Sequence, residues 1–330
     1  MEHKLLVLCD PEQDYVQHMA DFMRKKKDAA WEIRTFTKPE ALQEFGRQES
    51  IEILLISETA YGDYVKDLQV KVAILLNESG IMREKKLPNI DKYQPAEKVR
   101  QEMLVHYMES SGETFPRLGG LGKGKLIGMY SPVKRCLQTT FSLTLGQLLA
   151  ESHRTLYLSF EHYCGVAEWQ EYKRQDMAEL LYFQQNKAET FPLRLQTLVK
   201  KTGNLDYVIP MLKGENLLYI TVEEWKHLLE SLVNSGEYEY IILDLSESIQ
   251  GLFEILRMCS KVYTIVQEDP HALQKLYQYE QLLMLQEYED VKEKTAKCPL
   301  PIFRKLPGEL EHYSKGELAE YIRGMLRREG

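Results

Sequence analysis

No run in the 330 residues approaches the roughly 20 apolar positions a membrane-spanning helix requires, so any membrane association is expected to be peripheral. Cysteine is scarce: Cys9, Cys136, Cys164, Cys259 and Cys298 lie far apart, odd in number and without a C-x-x-C pair. Such a set excludes a disulfide framework, and no secretory-type segment precedes the first strand-like run at Lys4–Leu8. Reduced thiols in a cytoplasmic compartment are expected. A basic face is missing as well. The net charge is −8 with acids and bases interleaved, which argues against phosphate neutralisation as the main mode of binding, so no nucleic-acid partner is expected. Repeats of 20–50 residues and low-complexity blocks are absent, which excludes a solenoid. The histidines form no i, i+4 pair. Glu161-His162-Tyr163-Cys164 has no second ligand cluster to complete a metal site, so a solvated loop and no metal are expected there.

What is present reads as two α/β domains. Hydrophobic residues make up 44% of the chain, enough for two cores. Over residues 1–110 short apolar runs (Lys4–Cys9, Trp31–Phe36, Ile51–Ile56, Val70–Leu76) alternate with helical periodicity, as in Tyr15, Met19 and Phe22, or Val99, Met103 and Tyr107 after Pro95. That alternation predicts a parallel sheet covered on both faces. Residues 111–124, rich in glycine, read as a flexible linker. Their glycines precede a strand, whereas a nucleotide fingerprint needs them after one.

Residues 125–330 open with a strand at Leu126–Tyr130, a loop, and a helix from about Thr139 to Ala150. Strands follow at Thr155–Phe160, Tyr207–Pro210, Tyr240–Leu245 and Lys261–Val266. Thr221 and Glu224 form a T-x-x-E capping box, Asn234-Ser235-Gly236 stops that helix, and Asp269-Pro270 starts another that is expected to run to Tyr288. A last helix, Lys315–Arg328, gathers Leu318, Tyr321, Ile322, Met325 and Leu326 on one side. It either packs on its own domain or lies on a membrane as a peripheral contact.

Three segments of the second domain resemble the ParA/MinD family of P-loop ATPases. IGMYSPVKRCLQTTFSLTLGQLLA stands where that family has a strand, a K-G-G-x-G-K-T-T loop and a helix. EYEYIILDLSESIQG is similar to its Walker B strand, with Asp244 at the end. KVYTIVQEDPHALQKLYQYEQLL resembles a later strand and helix. The LYLSFEHYCG and GELAEYIRGML segments fit the TadZ/CpaE-type pilus-assembly subgroup, whose members carry an atypical receiver domain in front. Residues 3–109 resemble a receiver, with Asp10 after the first strand, Ser57 where the phosphoacceptor aspartate would stand, and Lys92 before a proline-led helix. The resemblance implies two doubly wound parallel-sheet domains, receiver-like and then P-loop NTPase-like.

The departures carry the functional expectation. Aligned on Thr139-Thr140, the family's loop falls on Val133–Gln138, so Lys134, Arg135 and Leu137 replace glycines and Gln138 replaces the phosphate-binding lysine. A loop without glycines is expected to lose its phosphate cradle, since a Cβ obstructs positive φ and close approach. Gln138 can hydrogen-bond a phosphate without neutralising it. Thr139 and Asp244 persist as a magnesium-binding pair. In the switch region Ser159 and Glu161 replace a D-x-D. Lys134 and Arg135 either attract phosphate or form a solvated loop. Phosphoryl transfer needs dense electrostatic stabilisation, which this set lacks. The expectation is a non-hydrolysing scaffold or localisation factor for a tight-adherence (Flp-type) pilus, acting as a homodimer with protein partners of the pilus and secretion machinery. It would be recruited to the inner face of the membrane or to a cell pole. The alternative is a MinD/ParA-type switch that binds ATP with Mg²⁺ as cofactor.

Overall fold

The computed structural model describes residues 4–26, 31–79, 87–111, 123–163, 165, 175–306 and 308–329. The chain divides into two compact units, one of Met1–Leu118 with Glu189–Thr197, the other of Gly119–Ala188 with Leu198–Gly330. Residues 112–122 of the expected linker, and Cys164, lie outside the described residues.

The first unit runs β1 (Lys4–Cys9), α1 (Gln13–Arg24), β2 (Trp31–Phe36), α2 (Pro39–Gly46), β3 (Ile51–Ser57), β4 (Val70–Asn77), β5 (Asn89–Asp91) and α3 (Ala96–Ser111). All its strands are parallel, in the order β2-β1-β3-β4-β5. This is one of the two common doubly wound orders, with its switch point between β1 and β3. The unbroken apolar run of β3 follows from that position: every residue except Glu52 is buried, because both faces are covered. Leu6, Leu8, Ile53 and Leu55 pack with Val99, Met103 and Tyr107 of α3 on one face; Val7, Leu54 and Ile56 pack with Leu42 of α2 on the other.

The second unit contains β6 (Lys125–Met129), α4 (Gln138–Leu149), β7 (Thr155–Ser159), α5 (Met177–Asn186), then α6 (Phe191–Leu198), most of which belongs to the first unit, and β8 (Lys200–Thr202) and β9 (Leu205–Tyr207). It continues through α7 (Val222–Ser235), β10 (Tyr240–Asp244), α8 (Leu252–Met258), β11 (Lys261–Val266), α9 (Pro270–Leu285), α10 (Glu289–Glu293), β12 (Thr295–Pro299) and α11 (Glu317–Glu329). The sheet order is β12-β11-β6-β10-β7-β9-β8, parallel except for the β8–β9 pair at one edge. Both units are therefore α/β, as expected.

Local signals place these elements with small differences. The Thr221 hydroxyl accepts from the Glu224 amide while the Glu224 carboxylate accepts from the Thr221 amide, completing the capping box of α7. Gly236, at φ 69°, ends that helix in a left-handed conformation. Asp269 caps α9, but the helix stops at Leu285, because Glu287 turns left-handed at φ 62° before Tyr288. β9 ends at Tyr207, and Ile209 adds only an isolated bridge to Asp176; Pro210, without an amide, cannot extend the ladder. Leu318, Ala319, Ile322 and Met325 of α11 are buried in the core of their own unit with residues of α4, so the apolar face offered for a membrane is already covered. Among the described residues no helix is long and apolar enough to cross a membrane.

The cap of α7 gives a direct check. Thr221→Ala is expected to lower stability by about 1 kcal/mol in denaturant unfolding, with Thr221→Ser close to wild type.

Candidate functional site: a phosphate-type loop closed by its own side chain

Three strand ends build the site. In the parallel register Met129 of β6 stands beside Asp244 of β10, which stands beside Ser159 of β7. The loop 130–137 leaves β6 at this edge and delivers the chain into α4. The edge is the position where open α/β sheets place their ligands.

The loop keeps a left-handed path without glycine. Arg135 has φ 58° and Leu137 φ 67°, both at positions where the resemblance puts a glycine. Each costs about 1–2 kcal/mol relative to a right-handed conformation. The absence of glycine therefore does not keep the backbone from positive φ at these two positions. The backbone turns left-handed at these two positions, and the closure comes from elsewhere.

Gln138 provides that closure. Its Nε2 donates to Asp244 Oδ1 (2.8 Å) and to the Leu245 carbonyl (2.8 Å), and approaches the Met129 carbonyl (3.3 Å). Its Oε1 accepts from the Ser131 amide at 2.7 Å. The carboxamide therefore joins the start of α4 to the ends of β6 and β10 and to the Ser131 amide of the loop. Both hydrogens of the Gln138 carboxamide are thus directed at protein acceptors. Asp244 is similarly committed. It is fully buried, and its Oδ2 accepts from the Tyr157 hydroxyl at 2.9 Å. Burial pushes its carboxyl above the ordinary range, against hydrogen bonds from Gln138, Thr139, Tyr157 and Ser142. Of the expected residues, Gln138, Thr139 and Asp244 come together; Thr140 is half-buried in the first turn of α4 and shows no bond to the carboxylate.

The rim is acidic. Lys134 is half-exposed and pairs with Glu247, whose other oxygen accepts from the Tyr130 hydroxyl at 3.1 Å. Arg135 is exposed. Ser159 is buried at the end of β7, with its hydroxyl 3.4 Å from the Glu161 amide. The loop beyond is held by a close approach: a Cβ on Gly214 would lie 2.2 Å from the His162 carbonyl oxygen. Phe160 packs edge-on to the buried Trp225 of α7, their centroids 5.0 Å apart. Burial, then the charges of Asp244 and Glu247, raise Glu161 to about 7 against the pull of Lys134. Gln138 thus commits the Asp244 carboxylate and the Ser131 amide inside the protein, and it brings no charge with which to neutralise a magnesium–nucleotide polyphosphate.

Sequence reasoning missed Ser131, Tyr157 and Glu247. Glu247 stands three positions past Asp244 and could have been found from the LDLSES run; nothing local marks Tyr157.

In the first unit Asp10 and Lys92 meet, Lys92 Nζ lying 2.8 Å from Asp10 Oδ2, 2.8 Å from Glu12 and 2.8 Å from Glu78. Glu12 and Glu78 were not anticipated. Ser57 is buried, and its hydroxyl is 3.0 Å from that of Thr59. A serine hydroxyl so placed closes a turn; it carries no carboxylate for an acyl phosphate.

Two outcomes are expected. Gln138→Ala leaves Asp244 and the Ser131 amide short of partners and is expected to destabilise the chain by about 1–3 kcal/mol in chemical unfolding. Glu161→Gln tests the field. The folded-state pKa of Glu161 lies above that of the unfolded chain, so its contribution to stability is lost as pH rises from about 4.5 through about 7. The amide variant should then gain stability over wild type at pH 8, on the order of 1–3 kcal/mol, and show little gain at pH 4.

No protein-family model matches the chain, and no curated protein matches it. Among solved structures it is similar to a plasmid partition protein of Borrelia burgdorferi B31 bound to AMPPNP, at 13% identity over 62% of this chain and 99% of that one, with a TM-score of 0.42. It is also similar to a ParA family ATPase of Chlorobium tepidum TLS, at 19% identity over 52% of this chain and 72% of that one, TM-score 0.42. A third likeness is to the MinC:MinD cell division protein complex of Aquifex aeolicus, at 16% identity over 53% and 67%, TM-score 0.41.

Proposed function

We propose that this chain is a non-hydrolysing scaffold or localisation factor of the TadZ/CpaE kind. It has a receiver-like first domain and a ParA/MinD-like second domain, and positions machinery of a tight-adherence pilus through protein contacts and homodimer formation. The carrying observation is the Gln138 carboxamide, bonded to Asp244, Leu245 and Ser131 where a nucleotide-binding loop would hold phosphate. Phosphoryl transfer depends on cations and donors aimed at the transferring group. Here an uncharged amide stands where the resemblance puts the loop lysine, and Lys134 already pairs with Glu247.

A surface suited to protein contacts supports the same reading. Along α9 Leu273, Tyr277 and Met284 are exposed at spacings that put them on one helix face, with Leu285 beside them. The pilus assignment rests on the resemblance of the sequence to that subgroup. Recruitment to a pole or membrane would come through a partner, since the apolar face of α11 is covered.

Isothermal titration calorimetry with Mg-ATP, beside a phosphate-release assay, tests the proposal. The expected result is binding no tighter than about 1 mM, a free energy of only about 4 kcal/mol, and no release above buffer. Micromolar binding with turnover that disappears in Asp244→Ala would replace the scaffold reading with that of an ATP-driven switch.

A further inference from the structure

The first unit holds a second closed polar centre, independent of the loop in the second unit. Lys92 follows β5, and its side chain is fully buried. Its ammonium lies 2.8 Å from a carboxylate oxygen of each of Asp10, Glu12 and Glu78, which follow β1 and β4. An ammonium has three N–H donors and no acceptor; here it donates to Glu12 and Glu78 and stands in ion-pair contact with Asp10 Oδ2, a buried oxygen that accepts no hydrogen bond. The rings of Tyr15 and Tyr93 face the same nitrogen, their centroids at 5.0 and 5.6 Å. Among the described residues this trio is the one group of acids whose oxygens lie close enough together to hold a metal ion, all within 4.8 Å of one another.

We infer that Asp10, Glu12 and Glu78 form a cation site whose resident cation is the covalently attached Lys92 ammonium, which makes the unit independent of divalent metal. Three carboxylates around one point would otherwise repel one another, and Asp10 is almost wholly buried. A single charge inside the ring relieves that repulsion. Because the four residues come from the loops after β1, β4 and β5, the ammonium also ties together the carboxyl edge of the sheet. Oxygen donors of this kind suit hard divalent ions such as Mg²⁺ and Mn²⁺. Such an ion and Lys92 compete for one space. The wild-type edge is therefore held in one arrangement without an exchangeable ligand, and removal of the ammonium exposes a latent divalent site.

The test compares full-length wild type with Lys92→Ala, which also vacates the volume of the lysine stem, in thermal unfolding over a series of MgCl₂ concentrations and in Mn²⁺ binding followed by electron paramagnetic resonance. Wild type is expected to take up no Mn²⁺ at this centre and to show a midpoint that does not respond to Mg²⁺ beyond a matched monovalent-salt control. Lys92→Ala is expected to unfold at a lower temperature without divalent ion, to bind one Mn²⁺, and to regain several degrees for each tenfold rise in free Mg²⁺. Adding Glu78→Gln should abolish that gain. Folding of Lys92→Ala only in the presence of Mg²⁺ would equally support the inference. Mn²⁺ uptake by wild type that is lost in Glu78→Gln would overturn it. So would a Lys92→Ala chain that neither binds Mn²⁺ nor is rescued by Mg²⁺, including one that fails to fold at every Mg²⁺ concentration.

Discussion

The bond from Gln138 to Asp244 is the constraint on which the second unit's functional edge depends. It closes a contact between residues 106 positions apart. It ties the start of α4 to the end of β10, and through the Ser131 amide it draws the preceding loop onto the same point. A lysine at this position would bring a charge requiring an anion. The amide requires none, because it has an acceptor as well as donors and both are satisfied by the protein. The left-handed residues Arg135 and Leu137 are then understandable. Their strain is offset by closure of the loop from within, where a nucleotide-binding loop would gain contacts with its ligand.

The two units handle the same problem with different groups. Each carries a carboxylate at the carboxyl edge of a parallel sheet, where the fold tends to gather polar groups and ligands. In one, Asp244 is met by an amide and a tyrosine hydroxyl; in the other, Asp10 is met by a buried ammonium. In each centre the carboxylate is met by side chains of its own unit.

Most of the fold was legible because its signals are local. The continuous apolar run of β3, the Thr221–Glu224 box and the Asp269-Pro270 start all act within a few residues. The short strands were harder to see. Lys200–Thr202 has little apolar character and gains its place from pairing with β9, while Thr295–Pro299 depends on the edge offered by β11. At the candidate site the sequence pointed to residues and left the direction of their side chains open. Gln138, Thr139 and Asp244 were recognised by position, yet the direction of the Gln138 carboxamide depends on Leu245 and Ser131. The partners of Lys92 were missed for the same reason: Glu12 and Glu78 are ordinary loop acids until the parallel sheet brings β1, β4 and β5 side by side.

The most direct measurement is a crystal structure of the chain grown with magnesium and a non-hydrolysable ATP analogue at millimolar concentration. The account predicts that Gln138 Nε2 stays within hydrogen-bonding distance of Asp244 and Leu245, that Ser131 still donates to Oε1, and that no phosphate enters loop 130–137. A Gln138 side chain swung out of the loop, with phosphate oxygens on its amides and Mg²⁺ beside Thr139 and Asp244, would contradict it.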